Sequence, residues 1–414
     1  MTRLVQQFRS FGRPSRLLMI NQFTINLGFY MLMPYLASYL SGPLGLAGWA
    51  VGLVLGVRNF SQQGMFLIGG TLADRFGYKP LIVAGCLLRT AGFGLLAAVN
   101  SLPSLIVASA ATGFAGALFN PAVRAYLAAD AGSRRLEAFA VFNVFYQGGI
   151  LAGPLVGLAL TTVDFRLTCL VAAAVFAVLT IVQLRALPPR VQAEPGERRS
   201  VLSEWRSVAA NRTFVLFSLV MIGSYVLSFQ TYLALPMQAR RVAGSATASD
   251  ALVAGLFAVS GVLALVGQLR ITSWFKARWS PGTCLVIGLS LMALGFVAPL
   301  AAARAGSVAG AVALVLAAAL VALGTVAVFP FEMDTVVRLS GERLVATHYG
   351  FYNTIVGVGI LVGNLFTGTV FDLARTAGWP ELPWLALALL GAVCALGLRL
   401  LDRGRKLAAE PAPV

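Results

Sequence analysis

The sequence predicts an all-α membrane protein whose twelve transmembrane helices form two pseudo-symmetric six-helix halves, and three observations carry that expectation. The chain of 414 residues is 58% hydrophobic and 11% charged, with mean hydropathy +0.84. A chain of that composition has lipid as its main solvent. Apolar runs begin near residues 17, 48, 80, 104, 137, 167, 213, 251, 283, 308, 346 and 383, and each meets the need of about 20 apolar residues for a helical crossing. Finally, Asn143 to Leu155 reads NVFYQGGILAGPL and Asn353 to Leu365 reads NTIVGVGILVGNL. The two match in register at Asn, Gly, Ile, Leu, Gly and Leu, so spans 5 and 11 correspond and the halves are repeats.

The elements follow in order. A basic arm precedes the run from Leu17 to Leu40, which continues past the length of a signal-peptide core without a clear small-residue cleavage site and is expected to be retained. Residues 1–187 form the first half. Residues 188–212 form a polar linker, starting Pro188-Pro189-Arg190 and continuing through Glu194-Pro195-Gly196-Glu197-Arg198-Arg199. Within it Leu202, Trp205 and Val208 recur at helical spacing, which fits either a short amphipathic helix on the membrane surface or a solvated linker. Residues 213–414 form the second half.

Charge sets the orientation. Arg3, Arg9, Arg13 and Arg16 precede span 1, Arg75 and Lys79 follow span 2, and Arg124, Arg134 and Arg135 surround the turn after span 4. The linker arginines, and Arg270, Lys276, Arg278, Arg338, Arg343, Arg399, Arg403, Arg405 and Lys406, fall in or beside turns of the same side. The opposite turns carry only Arg166, Arg240, Arg241, Arg304 and Arg375. By the positive-inside rule both termini are cytoplasmic, in a multi-pass protein of the cytoplasmic (inner) membrane. The formal charge of +16 is therefore topological, and no basic patch with interleaved aromatics remains to bind nucleic acid.

Enzyme chemistry finds little material. Cys86, Cys169, Cys284 and Cys394 all fall inside spans without metal-ligand spacing and read as small packing residues. A single histidine, His348, excludes a multi-histidine metal cage. No catalytic residue, metal or cofactor is expected.

Four groups of residues suggest function. The turn Gly69-Gly70-Thr71-Leu72-Ala73-Asp74-Arg75-Phe76-Gly77-Tyr78-Lys79-Pro80 makes spans 2 and 3 antiparallel neighbours. Its Asp74 can sit at the N-terminus of a facing helix, where unpaired N–H groups favour an anion. Arg75 and Lys79 then need partners, and Asp130 or Glu137 at the span 4 to 5 turn is the expected choice. In span 5, Gly149, Gly153 and Gly157 place bare backbone on a helix face and Pro154 permits a bend. Polar residues inside spans are costly in lipid and face a cavity or a partner. Arg58 and Gln62 on span 2, Asn21, Asn26 and Tyr30 on span 1, and Tyr225 and Gln230 on span 7 are candidates to line a substrate cavity, with polar packing the competing reading. Arg89 lies about 15 Å above Lys79 at the helical rise, and with no carboxylate deep in the first half both arginines must bond carbonyls, Gln or Asn side chains, or water.

The fourth group is acidic. Most of the carboxylates fall in loops, tails or the linker, but Glu332 and Asp334 follow Pro330 at the end of span 10. Two residues apart on a helix is roughly 200° of rotation, so only one can point inward, while the other meets the interface or a basic partner such as Arg338. The inward one is the candidate for proton coupling.

The span 2 to 3 turn resembles the G-x-L-A-D-R-x-G-x-K loop of the major facilitator superfamily, with Gly70, Asp74, Arg75, Gly77 and Lys79 in the pattern. G-x-x-x-G-P-x-x-G resembles the span 5 signature of its antiporters. Leu27-Gly28 with Pro34 resembles a further signature of the twelve-span drug:proton antiporters, with Ala37 in place of its final proline. Arg58-x-Phe60-x-Gln62-Gln63-Gly64, Arg89-x-Ala91-Gly92-Phe93, Asp164-Phe165-Arg166-Leu167 and Pro380-Glu381-Leu382-Pro383-Trp384 are similar to the MdtH family of multidrug resistance proteins. The resemblance implies the major facilitator fold, a cavity lined by spans 1, 4, 7 and 10, and Asp74 at the N-terminus of span 11. It also implies export of amphipathic drugs by a monomer that works by alternating access, with the proton gradient as energy source and antibiotic resistance as the outcome. Asn21 stands where similar proteins tend to carry an acid, which weakens selectivity for cations. A dedicated exporter of one metabolite or lipid, a proton-coupled importer, and a non-transporting membrane sensor are the alternatives.

Overall fold

The computed structural model describes residues 2–131, 134–188, 201–340 and 345–404, and among these every regular element is a helix. In chain order they are α1 (Thr2–Arg9), α2 (Arg13–Tyr30), α3 (Met33–Ser41), α4 (Gly48–Gln63), α5 (Phe66–Phe76), α6 (Tyr78–Ala98), α7 (Leu102–Ala131), α8 (Arg135–Thr161) and α9 (Phe165–Ala186). There follow α10 (Val201–Ala210), α11 (Arg212–Phe229), α12 (Ala234–Val242), α13 (Ala246–Arg278), α14 (Pro281–Gly295), α15 (Val297–Ala301), α16 (Ser307–Leu339), α17 (Val345–Ala377) and α18 (Leu382–Arg403). Among the described residues, 10 helical stretches are long and apolar enough to cross a membrane. The first two of the twelve expected runs are not among these 10; α2 with α3 and α4 with α5 stand in their places.

Proline places several divisions. A proline ring removes the hydrogen bond to the carbonyl four residues earlier and clashes with it. Pro34, Pro236 and Pro299 accordingly lie four residues beyond Tyr30, Tyr232 and Gly295, where α2, the turn after α11, and α14 stop. Pro121, Pro154 and Pro330 lie inside α7, α8 and α16, which run on past them. The linker helix expected around Leu202, Trp205 and Val208 is α10, where Val208 is buried, while residues 189–200 lie outside the described residues.

The chain divides into two compact units: Met1–Tyr39 with Val57–Gly196, and Leu40–Gly56 with Glu197–Val414. The first packs α6 against α7 and α9, and α2 along α8; the second packs α14 against α16 and α18, and α11 along α17. These are the same pairings twice over, with α8 and α17 carrying the matched sequences, so the repeat is a repeat of packing. Leu40–Gly56 joins the second unit through α17. The backbone carbonyls of Asn364 and Gly368 press on Gly52 and Gly48, and Asp372 accepts from the backbone N–H of Gly48 at 2.7 Å and of Trp49 at 2.8 Å. A carboxylate there satisfies otherwise orphaned donors at the start of α4.

Candidate functional site

The span 2 to 3 motif forms the end of α5, a one-residue corner and the start of α6. Gly77 turns that corner at φ 85°, a conformation that excludes most side chains. Lys79 Nζ donates to the carbonyl of Leu184 in the last turn of α9 at 2.9 Å, not to Asp130. A cation at a helix C-terminus meets unpaired carbonyls, which explains the choice. Asp130 in turn accepts from the backbone N–H of Ser15 at 3.2 Å and from its hydroxyl at 2.6 Å, at the start of α2. The side chains of Asp74, Arg75 and Glu137 lie outside the described residues. Of the paired glycines, Gly69 rather than Gly70 makes the close approach: a Cβ on Gly69 would collide with the Ala117 carbonyl, whereas one on Gly70 meets nothing within 4 Å.

Along α8 the antiporter-like motif forms a seam with α2. A Cβ on Gly149 would press on the Phe23 carbonyl, one on Gly153 would lie 2.6 Å from Tyr30 Cβ, and one on Gly157 would press on the Met31 carbonyl. Tyr35 donates to the Pro154 carbonyl at 2.6 Å, and Asn26 donates to the Tyr146 carbonyl at 2.8 Å. Asn26 is thus polar packing in this seam rather than cavity lining. Asn21, on the same helix, is buried with its amide nitrogen unbonded among the described residues.

Two buried polar centres remain, one in each unit. In the first, Arg58 and Arg89 are 6% and 3% exposed. Arg58 donates to Asn59 Oδ1 at 2.6 Å and Gln62 Oε1 at 2.8 Å; Arg89 donates to the Thr112 carbonyl at 3.4 and 3.2 Å. Both guanidiniums lie against Phe29, at 4.3 and 4.7 Å from its ring centre, and Arg89 also touches Phe119 and Phe176 at 4.8 and 5.2 Å. Carbonyls, amide side chains and ring faces can all accept from a cation buried inside a span.

In the second unit Glu332 is 2% exposed and accepts from the hydroxyls of Tyr352 on α17 and Tyr225 on α11. The two tyrosine rings meet edge to face at 6.1 Å. Asp334, on the other side of α16, is 60% exposed and pairs with Arg338 at 3.0 Å, one turn on. The carboxylates thus divide as their 200° separation requires. Gln230 is fully buried and bonds the Val226 carbonyl of its own helix at 2.8 Å. It lies roughly 140° around α11 from Tyr225, so the two do not share a face. Three helices converge on Glu332, and sequence reasoning missed Tyr352. Its only signal was its place beside Asn353, at the start of the repeated segment.

His348 stacks edge-on against Phe214 at 4.8 Å, and no group of metal-ligating side chains occurs among the described residues. Cys86, Cys169 and Cys284 are buried and Cys394 is partly buried, all as free thiols.

Comparison with known proteins agrees with this architecture. The Major Facilitator Superfamily model matches residues 18–364. An uncharacterized MFS-type transporter of Mycobacterium tuberculosis (strain H37Rv) is 60% identical over 399 residues, covering 95% of this chain and 94% of that protein. Multidrug resistance protein MdtH of Salmonella arizonae is 31% identical over 395 residues, covering 95% and 94%. Among solved structures, a mutant of the nucleoside transporter NupG aligns with TM-score 0.80 at 17% identity, over 93% of this chain and 99% of that one. An auto-inhibited POT family peptide transporter aligns at 0.75 and 18%, over 97% and 99%. At such identities these two show the fold alone. Helical spans, a duplicated packing pattern and matches along nearly the whole chain lead to one conclusion: this protein is a multi-pass membrane transporter belonging to the Major Facilitator Superfamily.

Proposed function

We propose that the protein exports amphipathic small molecules from the cytoplasm by proton antiport, through alternating access of a central site. The observation that carries this reading is Glu332, a carboxylate inside a spanning segment whose partners are two neutral tyrosine hydroxyls from other helices. A buried carboxylate ion-paired to an arginine would be locked as an anion. One held by hydroxyls can be ionised, with both tyrosines donating, or protonated, with its charge removed, and a coupling group needs both states. Asp334, exposed and paired with Arg338, is the weaker candidate.

The glycine seam along α8 and the 31% identity to MdtH support export of drug-like compounds. In this reading Asp74, Arg75 and Lys79 govern conformational exchange and both termini are cytoplasmic. A cysteine at Gly196 is then labelled only from the cytoplasm and one at Gly244 only from outside.

Proteoliposomes with an imposed pH gradient test the function. Accumulation of chemically unrelated amphipaths in the direction opposite to proton flow is expected. Movement of substrate together with protons would make the protein an importer, and the absence of concentrative flux with any compound would remove the transport reading.

A further inference from the structure

Glu332 is held by two hydroxyls that are alike in chemistry and unlike in surroundings. Tyr352, on α17, is fully buried, and its ring stacks on Phe217 at 6.3 Å. Tyr225, on α11, is partly exposed. That exposure is not on the lipid side: Leu216 and Leu219, 44% and 49% exposed, lie roughly 180° and 120° around the helix from it. Tyr225 therefore stands between a buried carboxylate and an accessible surface on the interior side of α11. Other ionisable groups leave this trio to itself. The electrostatic neighbours of Glu332 among the described residues are Tyr225, Tyr349 and Tyr352. Tyr349 donates to the Met333 carbonyl at 2.8 Å, and Asp334 and Arg338 pair with each other on the far side of α16. On the helices packed around α16, His348 lies against Phe214, and the Cys284 thiol points at the carbonyls of Phe275 and Trp279. Arg240 and Arg241 of α12 lie against Gly42 and Phe371, and Arg270, Lys276 and Arg278 of α13 are exposed. Arg212, Asp250, Asp372 and Arg375 stand within two turns of the ends of α11, α13 and α17.

Protonation forces a choice between the two tyrosines. An ionised carboxylate only accepts, and both hydroxyls donate to it. A neutral carboxyl carries an O–H of its own, which needs an acceptor among the same partners. If Tyr352 were that acceptor, its own proton would have no other partner among the described residues, and a buried donor left unpaired is costly. Tyr225 can instead turn its proton to its exposed side. Uptake of a proton then forms one O–H bond on Glu332, breaks none in tyrosine, and reverses the hydrogen bond between the two residues by rotation of the Tyr225 hydroxyl about its C–O bond. Beside ionised Glu332, Tyr225 presents lone pairs to its exposed side. Beside neutral Glu332 it presents a proton.

We infer that Tyr225 relays the protonation state of Glu332 to the substrate, and that the substrate meets the Tyr225 oxygen with an N–H or O–H donor. Such a donor is accepted while Glu332 is ionised and faces another proton once Glu332 is neutral. Antiport requires proton and substrate to disfavour each other, and that coupling is reciprocal. The inference rests on the proton-antiport reading, and it narrows the substrate class from amphipaths in general to amphipaths that carry a hydrogen-bond donor.

The test is binding to the purified full chain in phosphatidylcholine nanodiscs, measured by scintillation proximity. Imipramine, a tertiary ammonium with one N–H, is compared with its quaternary N-methyl derivative, which has the same charge and no donor. Within the pH range where imipramine stays protonated, saturable binding is expected, tighter at the alkaline end than that of the derivative. Lowering the pH through the titration of Glu332 should weaken both probes and narrow the gap, since both lose the carboxylate charge and only imipramine loses its acceptor. Tyr225→Phe should weaken imipramine about tenfold, the loss typical of a hydrogen bond to a charged group, and the derivative by less. Glu332→Gln, whose amide N–H holds the Tyr225 oxygen as a neutral carboxyl does, should bind imipramine weakly and without pH dependence. Only variants that elute as wild type on size exclusion are compared, and the pH dependence of the two probes on the wild type needs no variant. Failure of imipramine to bind saturably, equal affinity of the two probes at every pH, or equal loss of both in Tyr225→Phe overturns the inference. Phosphatidylethanolamine added to the nanodiscs separates sources: Tyr225-dependent displacement of imipramine makes a lipid ammonium the donor bound, and its absence leaves a soluble amphiphile. Flux under a pH gradient separates the two readings. Donor-selective, Tyr225-dependent binding without flux removes export and keeps the relay. Flux driven by the pH gradient, with equal loss of both probes in Tyr225→Phe, keeps antiport and removes the relay.

Discussion

The two units bury charge in the same manner and with opposite sign. In the first, guanidiniums at Arg58 and Arg89 are satisfied by amide oxygens, a backbone carbonyl and phenyl faces. In the second, the carboxylate of Glu332 is satisfied by phenol hydroxyls. The partners named here are neutral in both centres, and they orient the ion. The difference lies in what each ion can do. A guanidinium keeps its proton under all physiological conditions, whereas a carboxylate can exchange one. The two units have thus diverged into a centre of fixed charge and a centre whose charge can vary, and only the second has the chemistry that the proposed proton coupling requires.

Five substitutions probe that contrast, in order of falling effect. Glu332→Gln keeps shape and hydrogen bonding but fixes the neutral form. Flux driven by a pH gradient is expected to fall to that of empty liposomes while exchange at equal pH persists; pH-driven flux at the wild-type level would end the assignment of the variable charge to Glu332. Gly157→Ala tests the seam of the first unit, where the new methyl would press on a backbone carbonyl. Overpacking of this kind costs about 1–3 kcal/mol, read as a lowered Tm in detergent. Gly363→Ala, at the position of Gly153 in the repeat, meets the movable side chain of Val226 at 2.6 Å and should lower Tm less. The reverse order would show that the two seams are not equivalent structures. Asp372→Asn tests a charge at a helix end rather than in the interior, and loss of the ionic cap on α4 should cost about 0.5–1 kcal/mol in a thermal melt. Smallest of all, Asp334→Asn removes an exposed pair with Arg338, whose worth is about 0–1 kcal/mol. Transport should stay near wild type, and collapse of coupling here would exchange the roles of the two carboxylates.

What the sequence made legible was local. Spans follow from apolar length, the splitting of Glu332 from Asp334 follows from helical rotation, and Gln62 lies four residues from Arg58, where a helix brings it within reach. Convergence was not legible. Tyr225, Glu332 and Tyr352 come from three helices whose mutual rotation is set by packing, and no periodicity in one helix reports the face of another. Phe29 was hidden for the same reason, since a phenylalanine inside an apolar run carries no mark that two arginines will share its ring. The choice between Gly69 and Gly70 depended on which one faced Ala117 of α7, and the bond from Lys79 to Leu184 depended on where α9 ended.

The α2–α8 seam bears on how this protein can evolve. Every single-base change of a glycine codon that replaces the glycine with another amino acid adds at least a Cβ. At Gly149, Gly153 and Gly157 that atom would meet main chain or a neighbouring Cβ of α2, neither of which can rotate away. Such lineages carry a destabilised protein. Substitution is more easily accommodated at positions such as Tyr30 and Gln62, whose side chains are partly exposed.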